Sequence, residues 1–197
     1  MIRVVLFDLD GVIRHFDPDH LAGIERRHGL TSGTIAGIAF AKPLIDEVTT
    51  GRITRAEWVR RVSESAGSAP AAEEWGVQPA VVDDALLELS DEIRGLGLTT
   101  AVLTNGTDTI PAEIAALGIA DRFDAIFNSA DIGFVKPDVR AFEHVLDALG
   151  VIGSEVFFTD DTASKLAGAD RLSMRTHVFD SVDGLRDQLR AAGVGVR

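Results

Sequence analysis

Asp8 and Asp10 stand together in Asp8-Leu9-Asp10-Gly11, directly after the apolar run Ile2-Arg3-Val4-Val5-Leu6-Phe7. A short run of this kind closed by a turn signal reads as a buried strand, and in open α/β sheets ligands gather at the carboxyl ends of the strands. If the chain stays extended through Leu9, alternation aims both carboxylates to the same side, about 6.6 Å apart, a gap that could hold a small tetrahedral group. Asp-Gly is also a common hairpin-turn dipeptide, and a strand followed by a polar turn needs no chemistry to explain it. The remainder of the chain decides between these readings.

Three further apolar runs end in polar groups. Leu103-Thr104-Asn105-Gly106 offers a hydroxyl and an amide beside a glycine, although a Thr/Asn turn or helix cap would look the same. Phe134-Val135-Lys136-Pro137-Asp138 places a lysine before a proline able to start a helix. Phe157-Phe158-Thr159-Asp160-Asp161 puts two adjacent acids after a strand, where a helix N-cap is the ordinary alternative.

The elements that must position these groups alternate from about residue 85 onward. Val82, Ala85, Leu86, Leu89 and Ile93 have helical spacing and precede the strand Thr99 to Leu103. Helix and strand then recur: a helix from about Thr109 to Leu117, the strand Ala125 to Phe127, and a helix carrying Phe142, Val145, Leu146 and Leu149. The strand Val156 to Thr159, a helix through Leu166, the strand Thr176 to Phe179 and a last helix with Leu185 and Leu189 follow. This order predicts a Rossmann-like α/β fold, a parallel sheet with helices on both faces and right-handed crossovers.

Residues 16–81 break the alternation. Asp17-Pro18 reads as a helix start, Gly29 as a stop, and Thr54-Arg55-Ala56-Glu57 as a capping box before Trp58, Val59 and Val62 on one face. Gly67 to Gly76 reads as a loop. The expected organisation is therefore an α/β core from residues 1–15 and 82–197, with a small α-helical cap domain in 16–81 placed to act as a lid over the first strand.

Composition sets the outer limits. The 197 residues are 46% hydrophobic and 25% charged, with a formal net charge of -12 and no cysteine. Such a charge disfavours nucleic acid as a partner. Arg52, Arg55, Arg60 and Arg61 come closest to a basic block but are interleaved with Glu57 and Glu64. No apolar stretch approaches the roughly 18 residues of a membrane span, and neither a disulfide nor a thiolate metal site is available, so the chain reads as cytoplasmic. Oligomeric state is not legible.

In order and spacing, the four polar sites resemble the four motifs of the haloacid dehalogenase-like (HAD) hydrolase superfamily, over nearly the whole chain. Asp8-Leu9-Asp10-Gly11-Val12 resembles the nucleophile motif, Thr104-Asn105 the second, Lys136-Pro137 the third and Asp160-Asp161 the acidic fourth. The helical insert resembles the cap of a branch containing small-metabolite phosphatases, phosphomutases and 2-haloacid dehalogenases. Ser164, where Asn is frequent, and Ser173, where Gly is frequent, depart from the pattern.

The resemblance implies that Asp8 attacks phosphorus in line to give an aspartyl phosphate, with Asp10 as acid and then base. Lys136, Thr104 and Asn105 would hold the phosphate. Two like charges about 4 Å apart cost about 4 kcal/mol at an effective dielectric of about 20, so Asp8, Asp10, Asp160 and Asp161 together require a cation or protonation. All-oxygen ligands suit Mg²⁺, expected on the Asp8 and Asp161 carboxylates and the Asp10 carbonyl, with Asp160 direct or through water. Dehalogenases of this superfamily generally lack an acid at the position of Asp10, which favours a phosphorylated small molecule. A phosphomutase, a 2-haloacid dehalogenase and a catalytically silent binding protein remain alternatives. His15, His20, Phe40, Lys42 and Arg52 are rim positions, while Trp58 and Trp75 are expected to pack the cap and His144 and His177 to be structural.

Overall fold

Val4, Val5, Leu6 and Phe7 are uniformly apolar because both faces of the strand they form are covered. The computed structural model describes residues 1–197. Its strands, in chain order, are β1 (Val4–Phe7), β2 (Arg14–Phe16), β3 (Ala80–Val82), β4 (Thr99–Thr104), β5 (Ala125–Asn128), β6 (Val156–Asp160) and β7 (Arg175–Val178). Five of them make a parallel sheet in the order β5-β4-β1-β6-β7, which is the Rossmann-like arrangement expected. The register pairs Phe7 with both Val102 and Thr159, so β1, β4 and β6 end side by side.

Alternation along β1 divides the core into two layers. Val5, Phe7 and Leu9 pack with Leu86, Leu89 and Ile93 of α6 (Asp84–Gly95) and with Leu185 and Leu189 of α11 (Val182–Ala191). Val4 and Leu6 face Phe142 and Val145 of α9 (Val139–Leu149) and Ala169 of α10 (Ala167–Arg171). Between β4 and β5 lies α7 (Ile110–Ala116), and α8 (Ser129–Ile132) follows β5.

The insert contains α1 (Pro18–Arg27), α2 (Thr34–Ala39), α3 (Leu44–Thr49), α4 (Arg55–Ala66) and α5 (Ala69–Trp75). Asp17 and Thr54 accept from Asp19 N–H and Glu57 N–H, capping α1 and α4 as their sequence signatures indicate. Ile24, Ile35, Val48, Trp58, Val62 and Trp75 form a third core confined to these helices, with Trp58 packed edge-on against Trp75. The insert is joined to the α/β layer by polar contacts that include Ser129 Oγ donating to Thr49 O at 2.6 Å and Arg55 N–H to Asp108 Oδ1 at 2.6 Å.

Two features of the insert differ from the sequence reading. The segment expected as a loop, Gly67 to Gly76, is largely α5: Pro70 sits in the first turn, where its missing N–H costs nothing, and Ala71, Ala72 and Trp75 are buried. β2 and β3 pair antiparallel, Arg14 with Val82 through Phe16 with Ala80, forming a ribbon at the insert's two connections. Three-residue strands are too short to show periodicity, and Val82 consequently reads as the first residue of α6, whose cap is in fact Asp83.

Glu25 ties the insert together. It is buried on α1, and its carboxylate accepts from Gly33 N–H at 2.7 Å and Ile35 N–H at 2.8 Å, capping α2 from another helix. Glu25→Ala leaves both donors unpaired and is expected to lower unfolding free energy by about 2–4 kcal/mol in urea titration, whereas loss of an ordinary surface glutamate costs under about 0.5 kcal/mol.

Candidate active site

The residue after each central strand end meets the others at one rim. Asp8 follows β1 and is still tied to the sheet, its N–H donating to Thr159 O at 2.9 Å. Its side chain is buried. Oδ1 accepts from Leu9 N–H and from the Lys136 ammonium, both at 2.7 Å. Oδ2 accepts no hydrogen bond, although the Lys165 ammonium lies 3.5 Å away. A buried carboxylate oxygen with no partner is rare in a folded protein.

Lys136 is the opposite pole of this arrangement. Its ammonium is fully buried between Asp8 Oδ1 and Asp160 Oδ2, the latter at 2.6 Å. Asn105 holds the main chain of Lys136 with both ends of its amide: Nδ2 donates to Lys136 O at 2.9 Å and Oδ1 accepts from Lys136 N–H at 2.8 Å. Asp160 also accepts from Thr162 N–H, so hydrogen bonds occupy both of its oxygens. Asp161 is exposed and accepts only from Thr162 Oγ1.

The carboxylates of Asp8, Asp160 and Asp161 offer oxygens within 4.8 Å of one another. Burial pushes the Asp8 carboxyl above the usual range and the Asp160 carboxylate adds to the shift, while Lys136 and Lys165 oppose it. Burial would depress the Lys165 ammonium, but Asp8, Asp160 and Asp161 together hold it above its ordinary value. The sequence reading missed Lys165. Its signal is a cation four residues after Asp161, brought back to the acids by the 3-10 turn at Ala163–Lys165.

Asp10 has different partners. Alternation holds through Leu9, and the chain then turns so that Ile13 N–H and Arg14 N–H both donate to Leu9 O. The Asp10 side chain, 40% exposed, is clamped by Arg14, whose Nε contacts Oδ1. Arg14 is itself only 5% exposed and donates from Nη1 to Glu113 Oε2 at 2.7 Å. Arg14 is a second site residue absent from the sequence reading, although Asp10-x-x-x-Arg14 is a readable spacing. The Asp10 main-chain carbonyl accepts no hydrogen bond. Thr104 is buried at the end of β4.

Gly11 is needed where it stands. Its φ is +87°, and a Cβ there would lie 2.2 Å from Asp161 Oδ2, so the turn and Asp161 are packed in direct contact. Of the five rim positions singled out from sequence, only Phe40 lines the main cleft, which lies between the insert and α7 and reaches Asp10 and Asn105. Lys42 and Arg52 border a separate hollow. Trp58 and Trp75 pack the insert while also lining the cleft, and His177 bonds Thr159 from β7 at 3.1 Å.

The parallel sheet thus carries a lysine and three acids at its carboxyl rim. The chain belongs to the haloacid dehalogenase-like hydrolases, whose family model matches residues 2–172. It is 30% identical over 214 residues to Phosphatase MT3486 of Mycobacterium tuberculosis, covering 94% of this chain and 91% of that protein. It is 26% identical over 219 residues to bifunctional epoxide hydrolase 2 of Rattus norvegicus, where 98% of this chain spans only 39% of the relative. A HAD family enzyme of Bacteroides thetaiotaomicron, crystallised with magnesium and inorganic phosphate, shares the fold with a TM-score of 0.76 and 21% identity, covering 94% of this chain and 99% of that one.

Removing the buried ammonium exposes how much rests on it. Lys136→Met leaves Asp8 and Asp160 facing each other with only the half-buried Lys165 ammonium near them, and is expected to cost about 3–5 kcal/mol of stability at pH 7.5. In the variant the folded state raises the carboxyl pKa above its unfolded value, so stability is regained as pH falls. Urea denaturation at pH 7.5 and pH 5 should therefore show a smaller gap between variant and parent at pH 5.

Proposed function

We propose that the protein is a Mg²⁺-dependent phosphomonoester hydrolase that acts on a small phosphorylated metabolite through an aspartyl phosphate on Asp8. The observation that carries this reading is the asymmetry of Asp8: one oxygen is fixed by Leu9 N–H and Lys136, and the other is buried without a hydrogen-bond partner. Fixing Oδ1 leaves Oδ2 as the nucleophilic atom, aimed by the sheet rather than by a mobile loop.

The donor set fits a hard divalent ion. The Asp8 carboxylate, the exposed Asp161 carboxylate and the free Asp10 carbonyl are all oxygen ligands, and no thiol or imidazole competes. Asp160 is the outer member, because its oxygens are spent on Lys136 and Thr162 N–H. Bound Mg²⁺ would neutralise phosphate charge and let an anionic nucleophile approach an anionic ester.

The residues then divide the reaction. Lys136 and Lys165 balance the equatorial oxygens of the phosphoryl group, with the Thr104 hydroxyl beside them and Asn105 setting the position of Lys136. Asp8 Oδ2 forms the bond to phosphorus as the ester oxygen leaves, and Asp10, which lines the cleft, gives that oxygen a proton. Asp10 then takes a proton from the water that attacks phosphorus, releasing phosphate and restoring Asp8. In this reading residues 1–15 and 82–197 are the catalytic core and α1 to α5, residues 16–81, the cap. No helix is long and apolar enough to cross a membrane. The absence of cysteine and of a basic block is in keeping with a cytoplasmic enzyme of small molecules.

Phosphate release from a panel of monoesters should require Mg²⁺ and be abolished by chelation. Asp8→Asn is expected to lower kcat by at least about 10³-fold and Asp10→Asn by about 10²- to 10⁴-fold. Metal-independent halide release from a 2-haloacid, with no phosphatase activity, would contradict the reading.

A further inference from the structure

The cleft that opens from Asp10 and Asn105 encloses about 580 Å³, the size of a site for a whole small molecule rather than for phosphate alone. One wall is aromatic, made by Phe16, Phe40, Trp58 and Trp75 of the ribbon and insert. Ile110 and Leu117 of the core lie opposite. Phe16 is 37%, Phe40 56% and Val77 81% exposed, so three of the chain's eight exposed large apolar side chains border this one cleft. Apolar surface gathered in this way around a concave site marks a binding region.

The charged groups of the cleft are paired with one another. They are Asp10, Arg14, Glu113 and Arg55, two of each sign, and they form one chain: Asp10 to Arg14, Arg14 to Glu113, and Glu113 to Arg55 at 3.6 Å. The hydroxyls are also engaged, Thr107 with Thr109 at 2.9 Å, Thr109 with Glu113 at 2.6 Å and Thr49 with Ile45 O at 2.7 Å. Asn105 is committed to Lys136 and the Trp58 indole N–H to Ala39 O, which leaves the Gln78 amide and the Trp75 indole N–H as the unspent polar side-chain groups of the lining. A sugar, a nucleotide or a carboxylate-bearing leaving group would meet mostly paired polar groups and unpaired apolar ones.

We propose that the cleft takes the apolar tail of the substrate, so that the ester cleaved is the monophosphate of an uncharged, largely hydrocarbon or aryl alcohol. This rests on the phosphatase reading above and names its substrate class. The tail lies between Phe40, Trp58 and Trp75 on one side and Ile110 and Leu117 on the other, with the phosphate at the rim of Asp8. Burial of tail surface is the same before and at the transition state, so it lowers KM more than it raises kcat.

The test is an n-alkyl monophosphate series from ethyl to decyl, each below its aggregation concentration, alongside glucose 6-phosphate, with Mg²⁺. kcat/KM should rise by about two- to fourfold per methylene until the cleft is filled, mainly through KM, and decyl phosphate should exceed glucose 6-phosphate at least tenfold. Phe40→Ser should lower kcat/KM for decyl phosphate about tenfold, while Val178→Ser, an exposed apolar residue on β7, leaves the slope as it was. A flat series, or a preference for glucose 6-phosphate, overturns the proposal and leaves the phosphatase reading standing. If no ester releases phosphate, that reading fails, and Trp58/Trp75 fluorescence then decides: a saturable change with decyl phosphate but not with ethyl phosphate or glucose 6-phosphate supports the tail site, and no change overturns it.

Discussion

One buried ammonium between two buried carboxylates governs the rim of this protein. The register that sets Phe7 beside Thr159 brings Asp8 and Asp160 to adjacent strand ends, where two like charges shielded from water would repel. Lys136 resolves the conflict, its ammonium 2.7 Å from one and 2.6 Å from the other. Each ion of such a cluster costs several kcal/mol to desolvate, so the cluster is tolerated only because the geometry lets each charge meet its partner. The same contacts that offset burial also immobilise Asp8, so stability and the positioning of its carboxylate come from one interaction.

The surrounding structure is built to deliver that lysine. It arrives on the loop after α8, and Asn105, at the end of β4, grips its main chain at both N–H and C=O. Three strands and one loop are thus locked together through side-chain amide, ammonium and carboxylate. Gly11 completes the rim from the other side, since only a residue without Cβ allows the turn after Asp10 to lie against Asp161. The outcome is a carboxylate with one oxygen committed and one available, next to an exposed acid and an open carbonyl.

Much of this is legible in the sequence because it depends on short-range pattern. Buried parallel strands are apolar throughout, so β1, β4 and β6 stand out, and the polar residues ending them mark the rim. What is not legible depends on long-range pairing. β2 and β3 lie at opposite ends of the insert and are too short to carry a periodic signal, so nothing local reveals that Phe16 meets Ala80. The clamp of Arg14 on Asp10 and the return of Lys165 to the acids are different: each cation stands four residues from an acid, a readable spacing, and only the local turn decides that the two meet. α5 is hidden for another reason: Ala, Gly and Pro look like loop punctuation until Ala71, Ala72 and Trp75 are seen packed on α4. Ser173 shows the converse, a departure from the family pattern that takes on meaning at φ +61°, a conformation in which glycine is the unstrained residue.

The proposed chemistry turns on Asp8 forming a bond to phosphorus. Rapid acid quench during turnover of a phosphomonoester, followed by peptide mass spectrometry, reads this directly. The expected result is a single phosphoryl group on the peptide containing Asp8, formed on the time scale of turnover and absent without Mg²⁺. Phosphate release that proceeds undiminished in Asp8→Asn, with no phosphorylated peptide trapped, would contradict it.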